Sequence, residues 1–175
     1  MGKRSEYERE RLDYYPTPYA AVTPLLPHLP PRTRFCEPCA GAGVLIGHLE
    51  GNGHQCVSAF DVEPRSPDIR CADASFMQRE DIGGADLIIT NPPWDRHALH
   101  QIIERSLFCA PTWLLFDADW MHTKQAVPYL RHCSMIVAVG RVKWIEGSAG
   151  AGKDNCCWYK FDPEHCGRTI FVGRS

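Results

Sequence analysis

The sequence predicts an α/β protein: a doubly wound, mostly parallel sheet with crossover helices and an antiparallel edge hairpin. Three observations carry this. Short apolar runs alternate with stretches of helical periodicity. The first run opens directly into a glycine loop. Two late apolar runs lie close together and read as paired strands.

The elements follow in order. Residues 1–12 read as a charged leader, polar and mixed in sign. Tyr14-Tyr15-Pro16-Thr17-Pro18 cannot lie inside a helix or strand. Pro18 opens a short helix over 18–29, ended by Pro27, Pro30 and Pro31. Thr33–Glu37 is a strand running into Gly41 and Gly43. Val44–Glu50 is a helix closed by Gly51-Asn52-Gly53. Gln55–Phe60 is a second strand ending at Asp61, and a third ends near Asp73-Ala74. Asp86–Thr90 has the unbroken apolar character of a strand buried on both faces. His97–Phe108 places Leu99, Ile102, Ile103, Ser106 and Leu107 at three-four spacing. Thr112–Phe116 and Met135–Val139 are strands, with a helix expected over Met121–His132. Trp158–Phe161 and Thr169–Val172 complete the set as a hairpin.

The chain has 175 residues, enough for a single domain, and it contains no internal repeat. Its 44% hydrophobic and 23% charged residues are those of an ordinary globular protein. It has no apolar run long enough for a membrane span, and Met1–Arg11 lacks the apolar centre of a signal peptide. A cytoplasmic location is therefore expected. The nine cysteines are then expected as reduced thiols. Cys36 and Cys39 form the one CxxC; Cys156, Cys157, His165 and Cys166 do not have zinc-ligand spacing, so no metal is expected. The net charge of −2 is not that of a dedicated basic nucleic-acid binder. Arg131, His132, Arg141, Lys143, Lys153 and Lys160 do enrich the C-terminal half in positive charge.

In a doubly wound sheet, ligands bind beyond the carboxyl ends of the strands. The segment Phe35–Gly43 ends the first strand there. Gly41 and Gly43 allow a sharp turn and a close approach of backbone to ligand. Position 46 is Ile, so the dinucleotide pattern fails, and Glu37 places a negative charge where a pyrophosphate would not tolerate it. A cationic ligand, such as a sulfonium amino acid, would use that charge. Asp61 stands 18 residues after Gly43, at the end of the second strand, where a carboxylate can accept both ribose hydroxyls. Asp73-Ala74 can meet the amine edge of an adenine. Gly147–Lys153 imitates a phosphate loop, but Asp154 replaces the required Ser or Thr and the strand–helix context is poor. That stretch reads instead as a loop over the site.

Asn91-Pro92-Pro93-Trp94 follows the most apolar strand. The two prolines end the strand and remove two amide donors, leaving acceptors free. The Asn91 side-chain oxygen adds another. Two acceptors aimed at an –NH2 group draw its lone pair out of conjugation and make the nitrogen nucleophilic. Trp94 offers a flat face to a planar group, worth about 1–3 kcal/mol for a base.

Together these residues resemble the Rossmann-like, class I amino-methyltransferases, those acting on adenine N6 above all. Asp13-Tyr14-Tyr15-Pro16-Thr17-Pro18 looks like the family's N-terminal cofactor motif, Phe35–Gly43 like its glycine loop, Asp61-Val62 like its ribose acid and Asp73-Ala74 like its adenine-side motif. Asn91–Trp94 looks like the [DNS]-P-P-[YFW] catalytic motif. The order resembles the gamma arrangement of short phage-type DNA adenine methyltransferases. The resemblance covers about residues 13–145. It implies S-adenosylmethionine as cofactor, held by Tyr15, Pro16, Thr17, Glu37, Ala40, Gly41, Gly43, Asp61, Val62, Asp73, Ala74 and Asn91. It implies catalysis at Asn91, Pro92, Pro93 and Trp94, and transfer to the N6 amine of adenine in DNA, with the base flipped from the duplex. The family's separate target-recognition region has no counterpart here. Recognition then falls to residues 95–98, 119–125 and 143–157, or to a partner. An RNA base amine (adenine N6 or guanine N2) or a protein glutamine amide are the alternative acceptors. A non-catalytic cofactor-binding interaction protein is the alternative of another class.

Overall fold

The computed structural model describes residues 13–145, 152 and 154–174. The leader at 1–12 and most of the glycine-rich stretch 147–153 lie outside the described residues.

Eight strands form one sheet in the order β3-β2-β1-β4-β5-β7-β6-β8. Strand β1 is Arg34–Glu37, β2 Gln55–Asp61, β3 Arg70–Cys71, β4 Leu87–Thr90 and β5 Thr112–Asp117. These five run parallel. The sheet winds outward in one direction from β1 through β2 to β3, and in the other from β4 to β5. The switch point therefore lies between β1 and β4, which is where a crevice opens in such sheets.

β4 is buried along its whole length, as its uninterrupted Leu87-Ile88-Ile89-Thr90 run requires. Helix α2 (Val44–Glu50) buries Leu45 and Leu49 on one side of the sheet. Helix α3 (Arg96–Cys109) buries Leu99, Ile102, Ile103 and Ser106 on the other. Asp95 caps α3, its carboxylate accepting from the backbone N–H groups of His97 and Ala98 at 3.1 Å each. Among the described residues, no helix is long and apolar enough to cross a membrane.

Two expectations change. Residues 18–29 form only one helical turn, α1 (Tyr19–Val22), and a 3₁₀ turn at Leu26–His28. Residues 121–132 do not form one helix. They hold 3₁₀ turns at Ala118–His122 and Lys124–Ala126, then the short α4 (Val127–Leu130). Pro128 takes the first turn of α4, where its missing N–H costs nothing, but it cannot continue a helix begun earlier.

The antiparallel part is also arranged differently from the expected pairing of the last two runs. The hairpin is β6 (Cys133–Arg141) with β7 (Asn155–Phe161), and β7 inserts between β5 and β6, antiparallel to both. The last strand, β8 (Ile170–Val172), pairs parallel to β6 at the sheet edge. β7 belongs in the interior because Cys156, Cys157, Trp158, Tyr159 and Phe161 are all buried. Phe116, Tyr159 and Phe161 stack across β5 and β7, with the Phe116 and Tyr159 ring centroids 4.1 Å apart. Trp158 donates from Nε1 to the Ala21 carbonyl at 2.7 Å, tying α1 to the middle of the sheet.

Candidate active site

A cavity of about 540 Å³ opens at the carboxyl edge of β1, β2 and β4. Its walls are the strand ends and the turns that follow them. Glu37 is the last residue of β1 and Asp61 the last of β2; Asn91 follows the last residue of β4. Parallel register brings all three to one edge.

The floor is the loop between β1 and α2. Gly41 and Gly43 adopt φ of +53° and +79°, a region open to glycine at no steric cost. Asp61 holds this loop in place. One carboxylate oxygen accepts from the Gly41 N–H at 2.8 Å, the other from the Glu63 N–H at 2.8 Å. A carboxylate has about four acceptor positions, so two remain for a ligand's hydroxyls.

Glu37 is 2% exposed, and its Oε2 has no hydrogen-bond partner. Burial pushes its carboxyl well above the ordinary range, and the nearby Asp61 charge adds to the rise; a hydrogen bond with the Ile46 backbone opposes it. An orphaned, desolvated acceptor facing a cavity is what a cationic or N–H-rich ligand satisfies. Cys39 also lines the cavity, its thiol pushed up by burial first and by Asp61 second. Its partner in the CxxC, Cys36, is buried and pushed up to about 12, so neither is a thiolate near neutral pH.

Residues 13–17 form a strap along one wall of the cavity. Tyr15 accepts at its carbonyl from Asn91 Nδ2 at 3.2 Å. That contact turns the Asn91 amide, leaving Oδ1 as its acceptor for another group. Tyr14 lies with its edge against Gly41, where any Cβ would overlap the ring. The Arg65 guanidinium sits 3.7 Å from the Tyr14 ring centroid. At the far wall, Asp73 accepts from the Ser75 N–H at 2.8 Å and caps the 3₁₀ turn Ala74–Phe76.

Eleven sequence-predicted residues therefore come together on one cavity. Tyr15, Pro16 and Thr17 come from the strap; Glu37 and Ala40 from the glycine loop; Asp61 and Val62 from the end of β2; Asp73, Ala74, Asn91 and Pro93 from the remaining wall. Gly41 and Gly43 shape the floor rather than line it, and Pro92 is buried behind Pro93 in sequence. Trp94 does not line the cavity. Its indole is partly buried against two hydrophobic clusters and meets Trp144 edge-on at 5.8 Å. Of the segments expected to supply recognition, 95–98 follows β4 and 119–125 follows β5 at this edge; most of 143–157 lies outside the described residues or within β7. Sequence reading missed Arg65, Glu63 and Ala98, which also line the cavity. Nothing local marks them, since Arg65 and Glu63 sit in a polar turn and Ala98 in an ordinary first helical turn.

No family model matches the chain, and no curated protein matches it. Solved structures with the same fold do exist. A Pyrococcus horikoshii protein provisionally named an RNA methyltransferase aligns over 91% of this chain and 93% of its own, with a TM-score of 0.59 and 17% identity. A dimethyladenosine transferase from Plasmodium falciparum aligns over 85% of this chain and 62% of its own, at 0.55 and 13%. The modification subunit of a provisionally assigned type I restriction enzyme from Vibrio vulnificus aligns over 91% of this chain and 47% of its own, at 0.55 and 15%. The architecture is thus the class I methyltransferase-like α/β fold.

Proposed function

We propose that this chain transfers a methyl group from S-adenosylmethionine to the exocyclic N6 amine of adenine in DNA. One observation carries the reading: a single cavity joins the orphaned, buried Glu37 carboxylate to the Asn91 amide, whose Nδ2 is already engaged. The first suits the cationic end of the cofactor, the second an acceptor –NH2. The neighbours named for transfer to RNA, to adenosine and within a restriction system support a nucleic-acid amine as the acceptor class.

The bound cofactor would supply an electrophilic methyl on a sulfonium centre. The chain's own residues do the rest. Glu37 accepts N–H groups of the methionine part inside a water-poor pocket. Asp61 accepts the ribose hydroxyls while fixing Gly41. Asp73 and Ala74 face the cofactor's base. Asn91 Oδ1 and the neighbouring proline-flanked carbonyls accept both hydrogens of the target amine, concentrating its lone pair on nitrogen.

Radiolabelled cofactor, incubated with unmethylated DNA, ribosomal RNA and protein extract in parallel, tests the reading. Label recovered as N6-methyladenine in DNA is the expected result. Label in RNA or in glutamine amide, with none in DNA, would overturn the DNA assignment and keep the class. Absence of cofactor binding by calorimetry at millimolar concentration would remove the enzyme reading altogether.

A further inference from the structure

Arg65 stands at the rim of the cavity without a part in the reaction described, yet it ties two pieces of the site together. Its backbone N–H donates to the Gly41 carbonyl at 2.8 Å. Its guanidinium lies over the Tyr14 ring at 3.7 Å. The same ring rests edge-on against Gly41, where no side chain larger than hydrogen fits. The next strap residue, Tyr15, receives the Asn91 amide. Pro16 and Pro18 have no N–H to donate, and the Tyr15 carbonyl is held by the Asn91 side chain. Side-chain contacts at Tyr14 and Asn91 add to its attachment.

We infer that Arg65 is the latch of this strap. It is a positioning residue: it holds Tyr14 against the glycine loop, which keeps residues 13–17 along the cavity wall and keeps Tyr15 in place to orient Asn91. The latch stands on contacts alone; its effect on cofactor exchange rests on the function proposed above. Ligand exchange past the wall that the strap forms follows the strap's open fraction. A cation over a half-buried aromatic ring such as Tyr14 shifts such an equilibrium by about two- to fivefold.

Hydrogen exchange on the full chain without ligand reads the latch directly. The Tyr14, Tyr15 and Thr17 amides should exchange about two- to fivefold faster in Arg65→Ala than in the wild type. Arg65→Lys should fall between, and Tyr14→Phe, which keeps the ring, should match the wild type. The double variant Arg65→Ala with Tyr14→Leu should exchange no faster than Tyr14→Leu alone, because the two side chains act as one unit. A purely structural role for Arg65 would give additive effects. Stopped-flow release of S-adenosylhomocysteine should quicken by the same factor. Unchanged exchange in Arg65→Ala, or additivity in the double variant, overturns the latch. Faster exchange with unchanged release overturns its role toward the cofactor. If Arg65→Ala lowers global stability in urea, the comparison of Arg65→Lys with Tyr14→Phe carries the same decision. A wild type that binds no cofactor rejects the proposed function, while hydrogen exchange still decides the latch.

Discussion

Glu37→Gln should make the ligand-free protein more stable and its cofactor weaker to hold. The change keeps the shape and removes the charge. In the wild type that charge is 2% exposed and leaves Oε2 without a partner. Its carboxyl is raised well above 4.5, by burial first and by Asp61 second. The sign follows from linkage. A folded-state value above the unfolded one means the folded protein keeps a proton that the unfolded chain has lost. Stability therefore falls as pH rises from near the ordinary glutamate value through the raised one, and the full penalty is present above it. Each unit of displacement corresponds to about 1.4 kcal/mol. A buried, unsatisfied acceptor costs on the order of 1–3 kcal/mol, and more if charged. Glu37→Gln should then gain about 1–3 kcal/mol at alkaline pH, and less as pH falls toward the ordinary glutamate range. For a chain of this size that is about 2–4 °C in Tm per kcal/mol. Urea denaturation across this pH range measures it. Calorimetry should show cofactor affinity falling about ten- to a hundredfold, the loss of a charge-assisted hydrogen bond. Gains that stay equal from acid to alkaline pH would refute the claim that the penalty comes from the ionised form.

Three further outcomes are expected. Asn91→Ala should leave cofactor affinity within about twofold by calorimetry and lower transfer by about a hundredfold or more in the radiolabel assay, since the interaction forms with the reacting amine. Trp94→Ala should cost about 2–3 kcal/mol in urea unfolding, because the indole joins two core clusters; an unchanged midpoint would show that it packs against neither. Thiol labelling of the native protein should reach Cys71 and Cys166, both exposed, and spare Cys36, Cys133 and Cys156, which are buried and pushed up to about 12.

Most of the left half of the sheet could be read from the residues, because parallel strands there are short, apolar and punctuated. Val44–Glu50 is bounded by glycines on both sides, and the helix has those ends. Glu37, Asp61 and Asn91 were legible as site residues because each ends an apolar run, and parallel packing carries every such end to the same edge. The right half resisted. Which late strand lies inside depends on partners far away in sequence: Trp158 is interior because Ala21 and β5 meet it there, and nothing around Trp158 announces that. Helicity over 121–132 failed because periodicity ignores the ring of Pro128. Trp94 satisfied a motif, yet tertiary contacts with Trp144 decide where its face points. Arg65 was invisible because its partner, Tyr14, lies in the strap, far away in sequence.

The insertion of β7 between β5 and β6 has a consequence for how the molecule is made. The Trp158 indole hydrogen-bonds a carbonyl 137 residues earlier in the chain, and that carbonyl belongs to the helical turn following the strap. Closing so long a loop is slow, because chain entropy is lost before the contact rewards it. During synthesis, β1 to β5 can pair as they emerge, but the turn that supports the strap gains this anchor only after Trp158 has left the ribosome. The nascent chain can thus hold its glycine loop, the Arg65–Tyr14 contact and the Asn91–Tyr15 contact well before α1 gains this anchor. The helical turn next to the strap is thus fixed late, with the docking of a single interior strand.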